Sequence, residues 1–177
     1  NISDLKNNLK GFDACYFCSG CSSMGISEEE YKKNTLHLTL CFAKEILKQN
    51  PQILFFYLSA AGVDLVQKKG IMWAKIRKNT EDALKSLGFK KTYIFRPGYI
   101  QPIKGVKSKV KLYNLIYFIC SPFFPFLNRF FPELITTSER LAQAMLKLTL
   151  DKSTETYFDN ELINTIAAKK YPLKSLR

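Results

Sequence analysis

The stretch Gln52–Gly62, "QILFFYLSAAG", decides how the fold is read. Ile53 to Leu58 form an unbroken apolar and aromatic run with no polar residue in it. A strand with one face in water would alternate. A continuous run of this length reads as a strand covered on both faces, at the centre of a parallel sheet. It ends in the small residues Ser59, Ala60, Ala61 and Gly62, where the backbone can approach a neighbour or a ligand closely.

Working outward, "SEEEYKKNTLHLTLCFAKEILKQNP" (27–51) reads as a helix. Ser27 and Glu30 have capping-box spacing, three acids occupy the first turn, and Pro51 closes it. Tyr31, Leu38, Phe42 and Leu47 form its expected apolar stripe. Upstream, "FDACYFCSG" (12–20) is a short apolar run ending at Gly20, read as a buried strand. Downstream, a helix is expected over 71–87, ended by Gly88, followed by the strand "KTYIFRPG" (91–98), stopped by Pro97 and Gly98. The order β-α-β-α-β implies an α/β protein with a Rossmann-like parallel sheet.

The remainder changes character. "VKLYNLIYFICSPFFPFLNRFFPEL" (110–134) is aromatic-rich, uncharged from Leu112 to Asn128, and broken by Pro122, Pro125 and Pro132. It is too interrupted to span a bilayer as a helix. A helix is expected from Ser138, with Thr136 and Glu139 as its capping box and Leu141, Ala144, Met145 and Leu148 on one face. "TETYFDN" (154–160) is expected as a final edge strand, with a short helix to Ala168. Residues 1–100 are therefore read as sheet and helices, and 101–177 as a small, mostly helical region packed on them in the same domain unit.

The chain has 177 residues, 46% hydrophobic and 24% charged, an ordinary globular composition. No signal-peptide pattern opens it, and the odd count of five cysteines fits a reducing compartment, so a cytoplasmic location is expected. The net charge of +12 is concentrated: Lys68 to Lys111 holds thirteen Lys and Arg against Glu81 and Asp82. Such a surface meets phosphate-bearing ligands, anionic lipid or nucleic acid, or is simply solvated. No nucleic-acid motif accompanies it, and the aromatic residues are not interleaved with the basic run, so no nucleic-acid partner is expected.

Cys15, Cys18 and Cys21 have the look of a metal motif. On a strand rising about 3.3 Å per residue, Cys15 and Cys18 would lie about 10 Å apart on opposite faces. Zinc needs its thiolates at about 2.3 Å. Cys41 and His37, the only histidine, fall in the following helix. These cysteines are read as small hydrophobes and no metal is expected.

Several stretches in this order carry a resemblance: "GFDACYFCSG", "SEEEYKKNTLHLTL", "FFYLSAAG", "MWAKIRKNTEDAL", "FRPGYIQPIKG" and "TTSERLAQAML". The resemblance they carry runs from about residue 2 to about residue 165. The chain resembles the extended or atypical branch of the short-chain dehydrogenase/reductase superfamily, with its NAD(P)-dependent epimerase-like and NmrA-like proteins, and most of all the nucleoside-diphosphate-sugar epimerase family. The resemblance implies NAD or NADP as cofactor. It implies that Cys18, Ser19 and Gly20 line the adenosine and ribose side, and that Pro97 and Gly98 border the nicotinamide. It also implies that Ser59 polarises a substrate oxygen and that Tyr99 is a distant candidate for proton transfer.

Two departures stand out. The superfamily's Tyr-x-x-x-Lys pair is replaced by Trp73 and Arg77. Indole donates a hydrogen bond but is no acid/base near neutral pH, whereas Arg77 can hold a ribose hydroxyl or a phosphate. Among the glycines at 11, 20, 25, 62, 70, 88, 98 and 105 there is no T-G-x-x-G-x-x-G turn. With Asn at residue 1, the Rossmann-like domain is expected to be N-terminally incomplete in this chain, and its dinucleotide site with it.

Three functions follow as expectations. The first is an NAD(P)-dependent epimerase or oxidoreductase acting on a small molecule, apolar or a sugar nucleotide. The second is a non-catalytic NAD(P) sensor of the NmrA-like kind. The third is a peripheral module making weak contact with anionic membranes through residues 104–131. Arg96, next to Pro97, is a candidate phosphate contact.

Overall fold

The computed structural model describes residues 11–66, 70–102, 134–151 and 153–169. The expectations for the aromatic segment and the basic residues before it fall at 103–133, outside these residues. Among the described residues no helix is long and apolar enough to cross a membrane. The chain divides into two compact units, one running to Arg96 and including Thr154–Tyr157, the other holding the remainder.

The first unit is α/β. It comprises β1 (Ala14–Phe17), α1 (Glu28–Lys32), a π-helical stretch (Lys33–His37), α2 (Leu38–Gln49), β2 (Leu54–Leu58), α3 (Val63–Val66), α4 (Met72–Ser86) and β3 (Lys91–Phe95). β1 pairs parallel with β2, Ala14 opposite Leu54 and Phe17 opposite Tyr57. β2 pairs parallel with β3, Leu54 opposite Lys91 and Leu58 opposite Phe95. On the far side of β3 the Ile94 N–H donates to the Thr156 carbonyl at 2.7 Å, at the start of the short edge strand β6 (Tyr157–Phe158). The sheet order is β1-β2-β3-β6, a Rossmann-like parallel sheet.

β2 is central, as its unbroken apolar run requires. Ile53 to Tyr57 are between 0% and 5% exposed. Because side chains alternate along a strand, Ile53, Phe55 and Tyr57 share one face, packed with Phe17, Ala43, Ile46, Leu84, Phe89 and Ile94. Phe56 looks the other way, its ring 4.8 Å from that of Tyr93 and 4.9 Å from that of Tyr16. Burying each such aromatic side chain contributes about 1.5–3 kcal/mol.

The helix expected over 27–51 begins as read, with the Ser27 hydroxyl accepting from the Glu30 N–H at 3.1 Å. Its buried face is a correction. Tyr31, Thr35, Thr39, Ala43 and Ile46 are buried, whereas Leu38, Phe42 and Leu47 are only partly so. The π stretch adds a residue to the turn, so the inward face runs through positions four apart rather than along the 3.6-residue stripe. The small residues Thr35, Thr39 and Ala43 let this element lie close against α4. β1 is also shorter than expected. It stops at Phe17, so Cys18 stands beyond the strand and the strand-parity reading does not apply to it.

The second unit contains β4 (Tyr99–Gln101) and β5 (Ile135–Thr137), paired parallel, with α5 (Ser138–Leu150) and α6 (Asn160–Ala168). Neither β4 nor β5 was expected. The α5 core face is the expected one: Leu141, Ala144, Met145 and Leu148 are buried. Its N-cap is Thr137, accepting from the Arg140 N–H, and not Thr136. The Thr136 hydroxyl instead donates to Asn164 Oδ1 at 2.9 Å, while Asn164 Nδ2 donates to the Ile135 carbonyl. Lys147 on α5 closes the end of α6, its ammonium donating to the Ile166, Ala167 and Lys169 carbonyls.

Gly98 makes a close backbone contact in this unit. A Cβ there would lie 2.8 Å from the Leu134 carbonyl oxygen and 3.1 Å from Asn160 Nδ2. Gly98→Ala is therefore expected to lower the urea unfolding midpoint, at a cost of about 1–3 kcal/mol. An unchanged midpoint would mean that the Leu134 backbone moves aside freely.

Candidate functional site

Because β1, β2 and β3 run parallel and in register, their carboxyl ends share one edge of the sheet. Ligands in open α/β sheets bind outside that edge. There the chain places Cys18, Ser19 and Gly20 after β1, Ser59 after β2 and Arg96 after β3.

Ser59 is 5% exposed. Its backbone N–H donates to the Phe95 carbonyl at 2.7 Å, extending the ladder past β2. Its hydroxyl donates to Glu81 Oε1 at 2.5 Å. Glu81, on α4, is fully buried. Arg96 grips the same carboxylate with two donors, Nε to Oε1 at 3.1 Å and Nη2 to Oε2 at 2.5 Å. Its other edge engages both carboxylate oxygens of Asp64 on α3, and its Cζ lies 4.2 Å from the Tyr157 ring centre. Burial works against the Arg96 charge, but Glu81 and Asp64 overcome it and hold the guanidinium above its ordinary pKa. Arg96 is thus occupied by two carboxylates and is not the free phosphate contact its position suggested.

This geometry also alters the reading of Ser59. A hydroxyl has one hydrogen to give. Here it goes to Glu81, so Oγ presents lone pairs rather than a donor for a developing oxyanion.

Arg77 sits four residues before Glu81 on α4. Its Nε donates to the Tyr31 hydroxyl at 3.0 Å and its Nη1 to the Leu58 carbonyl at 3.3 Å. Its Nη2 lies 3.7 Å from where a Cβ would stand on Gly20. The structure therefore brings Gly20 and Arg77 together at the sheet edge, with Ser59 adjoining Leu58. Cys18 and Ser19 are exposed beside Gly20. Trp73 is half-buried one turn before Arg77. Burial, and then the neighbouring Cys18 thiol, push the half-buried Cys15 thiol up to about 11, which makes it a poor nucleophile.

Pro97, Gly98 and Tyr99 belong to the second unit. Pro97 is buried, the Gly98 N–H donates to Asn160 Oδ1 at 3.2 Å, and the Tyr99 hydroxyl donates to Gln101 Oε1 at 2.9 Å. The phenolic proton of Tyr99 is thereby engaged within its own strand.

Sequence reasoning did not single out Glu81 or Tyr31. A signal for Glu81 existed: it stands seven residues after Ala74 and three before Leu84, on the buried face of α4. An acid on that face must find donors. No such pattern marks Tyr31, whose partner is 46 residues away.

No protein-family model matches the chain, and a search of curated proteins returns no match.

Two predictions test the electrostatics. Arg96→Met leaves Glu81 buried and unpaired and is expected to cost about 3–5 kcal/mol in chemical unfolding. Asp64→Asn removes a carboxylate that is 61% exposed and is expected to cost less than about 1 kcal/mol. Equal losses would show that the two pairs are not ranked by burial. The second prediction concerns Tyr57. Burial pushes its phenol up from 10.0 to about 12, with Arg77 working in the opposite direction. The neutral form is favoured in the folded state, so this contribution is complete below about pH 10 and is lost as the pH rises towards 12. Stability measured from pH 9 to 12 is expected to fall less steeply in Tyr57→Phe than in the wild type.

Proposed function

We propose that the chain carries the ribose-side part of an NAD(P) site of the atypical short-chain dehydrogenase/reductase kind, in an epimerase or oxidoreductase acting on a small molecule. The observation that carries this reading is the gathering of Gly20, Ser59 and Arg77 at the carboxyl edge of the sheet. These residues fit the group. Gly20 offers backbone without a side chain, and the Arg77 guanidinium suits a ribose hydroxyl or a phosphate. Cys18 and Ser19 would border the same moiety from the loop after β1. The dinucleotide would supply the hydride chemistry. This chain's own residues would bind and orient it, with Arg77 as donor and Ser59 as acceptor. The assignment of Pro97, Gly98 and Tyr99 to the nicotinamide and substrate side rests on the resemblance alone.

A second reading, binding without turnover as in the NmrA-like sensors, is favoured by two observations. The Ser59 proton is held by Glu81, and Trp73 and Arg77 stand where an acid/base pair would be. The test is fluorescence titration of the full-length protein with NADH and NADPH. Saturable binding is expected, weakened about tenfold or more by Arg77→Met. If neither cofactor binds, the reading fails. Ser59→Ala separates the two forms of it: in an enzyme turnover falls beyond any loss of cofactor affinity, while in a sensor only that affinity changes.

A further inference from the structure

Arg77 is a half-buried guanidinium that no carboxylate pairs with among the described residues. Its surroundings make this unusual. Arg96, at the same sheet edge, has two carboxylates, and Lys78, next in sequence, has Asp82 at 2.5 Å. Arg77 and Glu81 stand at the i, i+4 spacing at which opposite charges pair on a helix. Glu81 turns instead to Ser59 and Arg96. Arg77 is left with two neutral acceptors, the Tyr31 hydroxyl and the Leu58 carbonyl. Of its five N–H donors, both on Nη2 and one on Nη1 have no partner among the described residues. A cation drawn partly out of water without a counter-charge is unfavourable by itself.

The unpartnered nitrogen faces Gly20. Gly20 is exposed, and it does not have the positive φ that demands glycine. The nearest atom to a Cβ built on it is Arg77 Nη2, at 3.7 Å. The missing side chain thus keeps the donor face of Arg77 open from the loop side. Tyr31, 1% exposed, holds Nε from behind and fixes the plane of the fork.

We infer that Arg77, with the bare backbone at Gly20, is a recognition site for an oxyanion, a phosphoryl or carboxylate group of a small-molecule ligand. The inference names the ligand chemistry of the site proposed above, but it requires neither a dinucleotide nor turnover. A neutral ribose hydroxyl would leave the charge uncompensated, whereas a planar or tetrahedral oxyanion takes the fork in two parallel bonds.

The test exploits Gly20. Gly20→Asp places a carboxylate within reach of Nη2 and supplies the missing counter-charge from inside the protein. Calorimetric titration of the full-length protein with inorganic pyrophosphate, and separately with malonate, is carried out at low salt, where screening is weakest. Wild-type protein is expected to bind at least one of the two saturably, and which one binds identifies the group as phosphoryl or carboxylate. Gly20→Asp and Arg77→Met are each expected to weaken that binding about tenfold or more. Gly20→Asp without ligand is expected to melt at a higher temperature than the wild type, which separates loss of the site from loss of the fold. Binding unaffected by Gly20→Asp would assign the anion to the general basic surface and overturn the inference, as would a lowered melting temperature. Pyrophosphate binding through Arg77 without NADH or NADPH binding would leave the inference standing and end the dinucleotide reading. Dinucleotide binding that Arg77→Met abolishes, with neither pyrophosphate nor malonate bound by the wild type, would keep the dinucleotide reading and overturn the inference.

Discussion

The first unit is organised around a carboxylate that has no access to water. Glu81 lies on the inner face of α4 at 0% exposure. A buried carboxylate left alone costs several kcal/mol, so the surrounding elements must bring donors to it. Two do. The end of β2 supplies the Ser59 hydroxyl and the end of β3 supplies the Arg96 fork. One helix and two strand ends are thereby held in a single arrangement. Arg96 extends the constraint to α3 through Asp64 and to the edge strand through the Tyr157 ring. The hydrogen bonds to Glu81 are charge-assisted, so small movements of α4 along the sheet would break several bonds at once.

The same constraint shapes the chemistry left over at the sheet edge. By taking the Ser59 proton, Glu81 converts a prospective donor into an acceptor. By pairing with Arg96, it withdraws that cation from any ligand. By turning away from Arg77, its neighbour one turn back, it leaves that guanidinium without a carboxylate partner among the described residues. Tyr31, on α1 just before the π stretch, points its hydroxyl at Arg77 from a fully buried position. Single π-helical turns are frequent at functional sites.

In the second unit, several hydrogen bonds among the described residues run from side chains to backbone groups. Asn164 bridges β5 in both directions, Lys147 caps three carbonyls at the end of α6, and Asp159 caps its start by accepting from the Leu162 N–H at 2.9 Å. Asn160 is satisfied on one side only. Its Oδ1 accepts from Gly98, which fixes the amide orientation and leaves the buried Nδ2 without a partner among the described residues. The close approach of Gly98 to Leu134 and Asn160 therefore comes with one unsatisfied donor.

Much of the architecture was legible in the residues alone. The unbroken run Ile53–Leu58 marked a strand buried on both faces, and the alternation with helices marked a parallel sheet, because both signals are local and periodic. The α5 face at Leu141, Ala144, Met145 and Leu148 was legible for the same reason. Local pattern misled where tertiary packing changed the period: the π stretch moved the buried face of α2 off its apolar stripe. It was silent about β4 and β5, since a three-residue strand has no period to read. At the sheet edge, the strand ends at Gly20 and Ser59 could be read locally, whereas Arg77 was picked out only by its place in the resemblance and nothing local says that it meets Gly20. Only the tertiary structure decided which cation meets which carboxylate. Glu81 could have paired with Arg77 at helical spacing, and it pairs instead with Arg96 because burial selects the partner that brings two donors and a neighbouring hydroxyl into the same dry space.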